Sequence, residues 1–257
     1  MTAARQVQRF GWIPDLPDQR DHLFAAPPAL LGKLPAKVDL SVDFPPVYDQ
    51  GQLGSCTANG IGAALQFDAL KQKLSFTGIP SRLFIYYNER VMEGTVGTDA
   101  GAQIRDGIKS VNLAGACAET EWPYDIAKFT KKPAAPCYKD ALKFRAVSYS
   151  RVAQTLPQMR GCLASGYPFV FGFSVYESFE SAEVAQTGVV PLPSPGEQSI
   201  GGHCVAAVGY DDSTSHFLIR NSWGPDWGQH GYCTMPYSYL LSDGLASDFW
   251  TIRIVGS

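Results

Sequence analysis

No stretch of this 257-residue chain approaches the roughly 18 consecutive apolar residues of a membrane span. Basic runs and acidic tails are also missing, and the formal net charge is only −3. Neither nucleic acid nor an anionic membrane surface is therefore indicated as a partner. The opening stretch MTAARQVQRFGWIPDLPDQRD lacks the roughly 7–15-residue apolar core of a secretory signal. Compartment stays open between the cytoplasm and export by a route not visible in the chain. Six cysteines are too few for a disulfide scaffold. No C-x-x-C pair occurs, which argues against a structural zinc site or a thioredoxin-type redox motif. The four histidines, His22, His203, His216 and His230, show no paired metal-ligand spacing. Internal repeats and low-complexity segments are absent.

What is present is a globular composition, 45% hydrophobic and 18% charged, on a chain long enough for one large domain or two lobes. Residues 1–33 carry Pro14, Pro17, Pro27 and Pro28, with Pro35 just beyond, and charges such as Arg20 and Asp21 between them. That composition predicts an irregular leader draped over the surface. Trp12, Ile13, Leu16, Leu23 and Phe24 give it apolar handles for packing on the rest. A helical half follows. After Cys56, Ile61, Leu65 and Ala69 recur every four residues and Leu70 and Leu74 continue the face. Gly60, Gly62, Ala63 and Ala64 are small enough to let other backbone approach, so this helix is expected to be central and buried. Residues 81–92 and 102–115 read as two more helices, the second ending at Gly115 as a left-handed cap. The second half changes character: FRAVSYSRV, PFVFGFSV, HCVAAVGY, HFLIRNSW, GYCTMP and FWTIRIV read as strands, interrupted by one helix at 156–166. Helices first and strands later imply an α+β protein of two unlike lobes, with a substrate cleft between them.

The loop DQGQLGSCT at 49–57 poses the chemical question, because Cys56 stands at the mouth of the central helix. Such a cysteine can be a buried core thiol, half of a disulfide, a metal ligand or a nucleophile. Ser55 is a good N-cap, which places Cys56 at the first helical position. There, unpaired N–H groups and the helix dipole stabilise a thiolate. A thiolate site also needs a base, an orienting group and an oxyanion donor. His203 begins a nearly all-apolar strand in GGHCVAAVGYD, a rigid element that can aim an imidazole. His22 lies in the leader, and His216 and His230 are flanked by turn residues. Asn221, in LIRNSWGPDWGQHGY, can accept from the ring N–H and hold its tautomer. Trp223 and Trp227 beside it can shield that contact from water.

The three segments DQGQLGSC, GGHCVAAVGY and IRNSWGPDWGQHGY, in this order, resemble the signature blocks of the papain-like cysteine peptidases, most of all the bacterial members. His203 follows Cys56 by 147 residues and Asn221 follows it by 165, inside and slightly beyond the roughly 130–150 of the family. The resemblance implies a papain-like two-lobed α+β fold over residues 34–257. A mainly helical lobe would run from about 48 to 143, and a β-barrel-like lobe from about 144 to 257 plus 34–47. By the same resemblance Cys56 matches the nucleophile, His203 the acid–base, Asn221 the orienting residue and Gln50 the oxyanion-hole glutamine. Trp223 matches the tryptophan over the His–Asn pair. Gly54, Ser55 and Gly202 fall at substrate-binding positions. TDAGAQIRDGIK matches the substrate-strand glycine block, which points to Gly101 and its neighbour Ala100.

Departures accompany the match. Leu53 replaces a disulfide cysteine, Thr57 the usual tryptophan after the nucleophile, and Ala100 the first glycine of the substrate strand. Cys117 and Cys137 enclose a short Pro-rich loop that a disulfide could close; Cys162, Cys204 and Cys233 read as structural thiols. No cofactor and no metal is implied. The expected function is a cysteine endopeptidase acting on proteins or peptides, with residues 1–33 as a short prosegment lying on the cleft and inhibiting it. The alternatives are a catalytically silent binding protein of the same fold and a thiol-dependent amidase or acyltransferase.

Overall fold

The computed structural model describes residues 10–74, 78–145 and 148–254. The N-terminal segment contributes β1 (Trp12–Ile13), β2 (Leu23–Phe24) and α1 (Pro28–Leu31), and β3 (Lys37–Asp39) follows. The helical half holds α2 (Cys56–Lys71), α3 (Arg82–Glu93), β4 (Ala102–Gln103), α4 (Ile104–Ala114) and α5 (Ala135–Ala141). The strand-rich half runs β5 (Ser148–Val152), α6 (Leu156–Ala164), β6 (Phe169–Tyr176), α7 (Ala182–Thr187) and β7 (Ser199–Asp211). It ends with β8 (His216–Arg220), β9 (Tyr232–Pro236), α8 (Tyr237–Leu240) and β10 (Ala246–Arg253). This is the α+β, helices-then-strands arrangement expected from the chain. Among the described residues no helix is long and apolar enough to cross a membrane.

The strands form one eight-stranded sheet in the order β2-β5-β10-β6-β7-β8-β9, with β3 paired to β7. Strand β7 is apolar along most of its length because both its faces are covered. Val205 and Ala207 join a core with Phe169, Phe171 and Phe173. Cys204, Ala206 and Val208 point the other way, into a core shared with Ile61 and Leu65 of α2. Helix α2 is buried from Cys56 through Ala69, not along one stripe only. Its small residues allow that: a methyl on Gly60 would stand 3.3 Å from the Cys204 sulfur.

Three expectations need correction. Residues 102–103 are extended, and α4 begins at Ile104, because the Ala102 N–H is given to the Gly11 carbonyl at 2.8 Å. Gly115 has φ 75° but ψ −162°, so it is no left-handed cap. The Ala116 N–H goes at once to the Phe144 carbonyl, and the chain leaves the helix extended. Residues 1–9 of the expected leader lie outside the described residues; from residue 10 onward it is more ordered than its prolines suggested. β1 pairs in parallel with β4, and β2 in parallel with β5. α1 starts with Pro28 in its first turn, where a missing N–H costs nothing. Within the expected strand FRAVSYSRV, Ala146 and Val147 lie outside the described residues.

Candidate active site

Cys56 is the first residue of α2 and has no exposed surface. Ser55 occupies the N-cap position, yet its hydroxyl does not cap the helix. It shares a hydrogen bond with the Tyr124 hydroxyl, which in turn donates to the Gln50 carbonyl at 2.8 Å. The expected capping bond is thus exchanged for a brace between the loop and residue 124. Burial pushes the Cys56 thiol up to about 12, over the opposing pull of the N–H groups of Cys204, Gly11 and Thr57. The helix terminus was expected to lower it. In this structure the N-terminal segment covers the sulfur, and desolvation outweighs the dipole.

His203 stands on β7 opposite Phe173 of β6, and 1% of it is exposed. Its Nε2 lies 2.8 Å from Asn221 Oδ1. The same oxygen accepts the Ser222 N–H at 2.8 Å, which fixes the amide's orientation. The Trp223 ring lies 5.0 Å from the imidazole, tilted by 30°. Phe179 meets Trp223 and Trp227 edge-on and tilted. An aromatic lid therefore screens the imidazole–amide bond from water.

Gln50 reaches this site through contacts the sequence did not reveal. Its N–H donates to the Ser222 carbonyl at 2.9 Å, within a bridge between Asp49 and Trp223. The Ser222 hydroxyl donates to Gln50 Oε1 at 2.6 Å, leaving Nε2 to donate to the Leu53 carbonyl at 3.0 Å. Arg82 holds the loop from behind. It donates to the Asp49 carbonyl and Asn59 Oδ1, both at 3.1 Å, and pairs with Glu119 at 2.6 Å. Residue 222 could have been suspected only from its place between Asn221 and Trp223.

The expected substrate-strand residues contact the chain's own N-terminus. Gly54 gives its N–H to both oxygens of Asp99, which also accepts from the Tyr86 hydroxyl. Gly101 has φ +76°, and a methyl there would stand 2.3 Å from the Gly11 carbonyl oxygen. Only glycine fits both the turn and that approach. Ala100 precedes it, half-buried. Gly202 faces the Trp12 carbonyl and ring, and the Phe10 ring lies 6.4 Å from that of His203.

A polar network ties the segment down. The Asp15 N–H donates to Asp248, and its carboxylate accepts from the Arg105 N–H and from Trp250 Nε1. Asp21 pairs with Arg105 at 2.6 Å and Arg151 at 3.2 Å. Burial and then the Asp248 charge push Asp15 up to about 6.

Beneath the helix start, the Thr57 hydroxyl donates to Glu89 at 2.6 Å. Glu89 is wholly buried, and that burial pushes its carboxyl well above the usual range, against the pull of the Thr57 hydroxyl. All six cysteines are free and buried. The disulfide considered between Cys117 and Cys137 is not formed. Their sulfurs and a Glu121 carboxylate oxygen lie within 4.8 Å of one another, and the two cysteines belong to a different apolar cluster from Cys56.

Known proteins share this architecture. The family described as papain family cysteine protease matches residues 34–240. An uncharacterized peptidase C1-like protein, L477, of Acanthamoeba polyphaga mimivirus is 43% identical, spanning 96% of this chain and 88% of that protein. Cathepsin B-like CP1 of Giardia intestinalis is 28% identical, spanning 79% and 68%. Among solved structures, xylellain, a cysteine protease from Xylella fastidiosa, superposes with a TM-score of 0.91 at 47% identity over 99% of both chains. Digestive procathepsin L 3 of Tenebrio molitor gives 0.69 at 17% identity over 91% of this chain and 75% of its own, a likeness of fold alone.

Proposed function

The chain belongs to the papain family of cysteine proteases, and from that membership we propose that it cleaves peptide bonds with Cys56, His203, Asn221 and Gln50, restrained by its N-terminal segment. The Cys56 thiolate attacks the scissile carbonyl. The Cys56 N–H and Gln50 Nε2 receive the oxyanion. With Nε2 of His203 committed to Asn221, Nδ1 is the ring atom that handles the proton, passing it to the leaving amine. The acyl group remains on sulfur as a thioester until water, activated by the same imidazole, releases it.

The observation that carries this reading is the 2.8 Å contact between His203 Nε2 and Asn221 Oδ1. It lies on the strand whose next residue, Cys204, directs its N–H at the Cys56 sulfur. The covered sulfur and the pairing of β1 with β4 support the restraint. The helical and β-rich lobes would divide near residue 143, with residues 1–33 as the removable part.

An epoxide thiol alkylator followed by digestion of a peptide library tests the assignment. Stoichiometric modification of Cys56 and cleavage within peptides are expected. Modification without any cleavage supports a silent binding protein. Release of amide or transfer of acyl groups without peptide cleavage supports an amidase or acyltransferase. Starting the chain at about Leu34 should raise the rate on small peptides, and equal rates would refute the restraint.

A further inference from the structure

Helix α3 turns polar side chains as well as apolar ones into the protein. Arg82, Tyr86 and Arg90 recur every four residues along it, and all three are buried. Buried polar groups persist where they are hydrogen-bonded, so the partners of this face matter. Arg82 bonds the loop before Cys56 at the Asp49 carbonyl, as described above. The Arg90 guanidinium carbon lies 3.9 Å from the centre of the Tyr86 ring. Arg90 also donates to the Val96 and Thr98 carbonyls, at 3.0 and 2.9 Å, and so gathers the loop that leads to Asp99. The Tyr86 hydroxyl donates to Asp99 and accepts the Gly101 N–H at 3.2 Å. Asp99 in turn accepts the Gly54 N–H, 3.1 Å from each of its oxygens.

A continuous hydrogen-bonded chain results, from the Gly54 N–H through a carboxylate and a phenol to the Gly101 N–H. Its ends lie on two stretches that a bound peptide would meet together. Gly54 stands two residues before Cys56. Gly101 leads directly into β4, whose Ala102 N–H holds the Gly11 carbonyl of the N-terminal segment at 2.8 Å. No covalent link joins the two stretches, since Leu53 stands in place of a disulfide cysteine and all six cysteines are free. We propose that Tyr86 and Asp99 are positioning residues, a hydrogen-bonded clamp that holds the edge of β4 in place relative to the Cys56 sulfur and so sets how an extended peptide is presented to it. This rests on the peptidase reading above. A carboxylate suits the task because its two oxygens can accept both bonds at once, and such charge-assisted bonds are roughly twice as strong as neutral ones. Phenylalanine at 86 would keep the ring beside Arg90 but leave the buried Gly101 N–H without this acceptor.

Two measurements on the full chain test the clamp. Amide exchange reads the clamp itself. Tyr86→Phe alters no bond made by Gly54, yet it should speed exchange at both Gly54 and Gly101 at least about tenfold relative to the amides of β7. Asp99→Ala should do the same, and the double variant should add little to either single one, because the bonds act as a unit. The second measurement reads how a peptide is held. Its parent is Trp12→Gly, which loosens the N-terminal segment by removing the indole that fills the space against Gly172 and Gly202. Cys56 is offered either a tripeptidyl epoxide or iodoacetamide, and alkylation is followed by peptide mass. Uncovering the sulfur affects both rates alike, so their ratio reports presentation of the peptide. That ratio should fall about 10- to 100-fold in Tyr86→Phe and Asp99→Ala. It should fall less in Asp99→Asn, which keeps one acceptor oxygen. Unchanged Gly54 exchange in Tyr86→Phe, or a ratio unchanged in both Tyr86→Phe and Asp99→Ala, overturns the clamp alone. A parent that reacts with iodoacetamide but not with the peptidyl epoxide overturns the peptidase reading and the clamp's role with it.

Discussion

Helix α2 and the N-terminal segment over it both lie against Cys56, but they are held in different ways. The helix is enclosed on all sides by apolar neighbours such as Leu83, Ile104, Val170 and Trp250, with no water-accessible face over its first fourteen residues. The segment is held at separate points: one indole between two glycines, short parallel pairings, and carboxylates on Arg105 and Arg151. Water can replace most of those polar partners; nothing can replace the packing around α2. The contrast is what the proposed restraint requires: a helix fixed in the core beneath a segment attached at separate points. It also explains why the proposed nucleophile has a raised pKa here, since its desolvation includes the N-terminal segment.

The sharpest probe of the contrast is Cys56→Ala. It should reduce peptide hydrolysis to background with the melting temperature nearly unchanged, because a buried thiol gives way to a slightly smaller apolar group. Gln50→Ala should lower kcat by roughly 10²–10³, as loss of an oxyanion donor does; an unchanged kcat would remove that role. On the segment's side, Arg105→Ala leaves Asp21 with only its longer contact to Arg151 and frees the Leu16 carbonyl. Limited proteolysis should then remove the first 33 residues several-fold faster, with hydrolysis of small peptides rising in step.

Proton uptake separates the two elements further. Asp15 rises to about 6 when docked, against about 3.9 for an exposed aspartate. Docking therefore binds a proton, and its share of stability is complete below about pH 3.9 and lost as pH rises through about 6. Measured on Cys56→Ala protein to prevent self-cleavage, the segment's protease sensitivity should increase from pH 4.5 to 7. Asp15→Asn should flatten that dependence. The smallest effect belongs to Ser222→Ala, which removes one hydrogen bond to Gln50 and should cost about two- to tenfold in kcat.

The candidate residues around the sulfur were legible because the roles proposed for them demand particular types at particular spacings. Cys56 opening a helix, His203 on an apolar strand and Asn221 beside two tryptophans could each be named from local pattern. Their supports could not. Ser222 reads as turn chemistry, Tyr124 as a loop aromatic and Glu89 as one more charged helix position, until folding brings them to Gln50, Ser55 and Thr57. The capping role given to Ser55 failed for the same reason: a serine before a helix has a local acceptor geometry, and only the tertiary structure supplies Tyr124 as a competing partner. The leader was misread as irregular because its prolines exclude continuous pairing but tolerate the two-residue strands it forms.

By itself, the order of residues determined that helices precede strands, that a cysteine begins the central helix, and that an imidazole and an amide follow at suitable distances along the chain. Those features depend on periodicity and side-chain chemistry, which are local. The tertiary structure alone decided what lies over the thiol, which partners orient Gln50, and that Gly172 and Gly202 make room for an indole. Contacts between residues about 160 positions apart depend on how the sheet and helices pack, and no stretch of chain short enough to read as a pattern contains them.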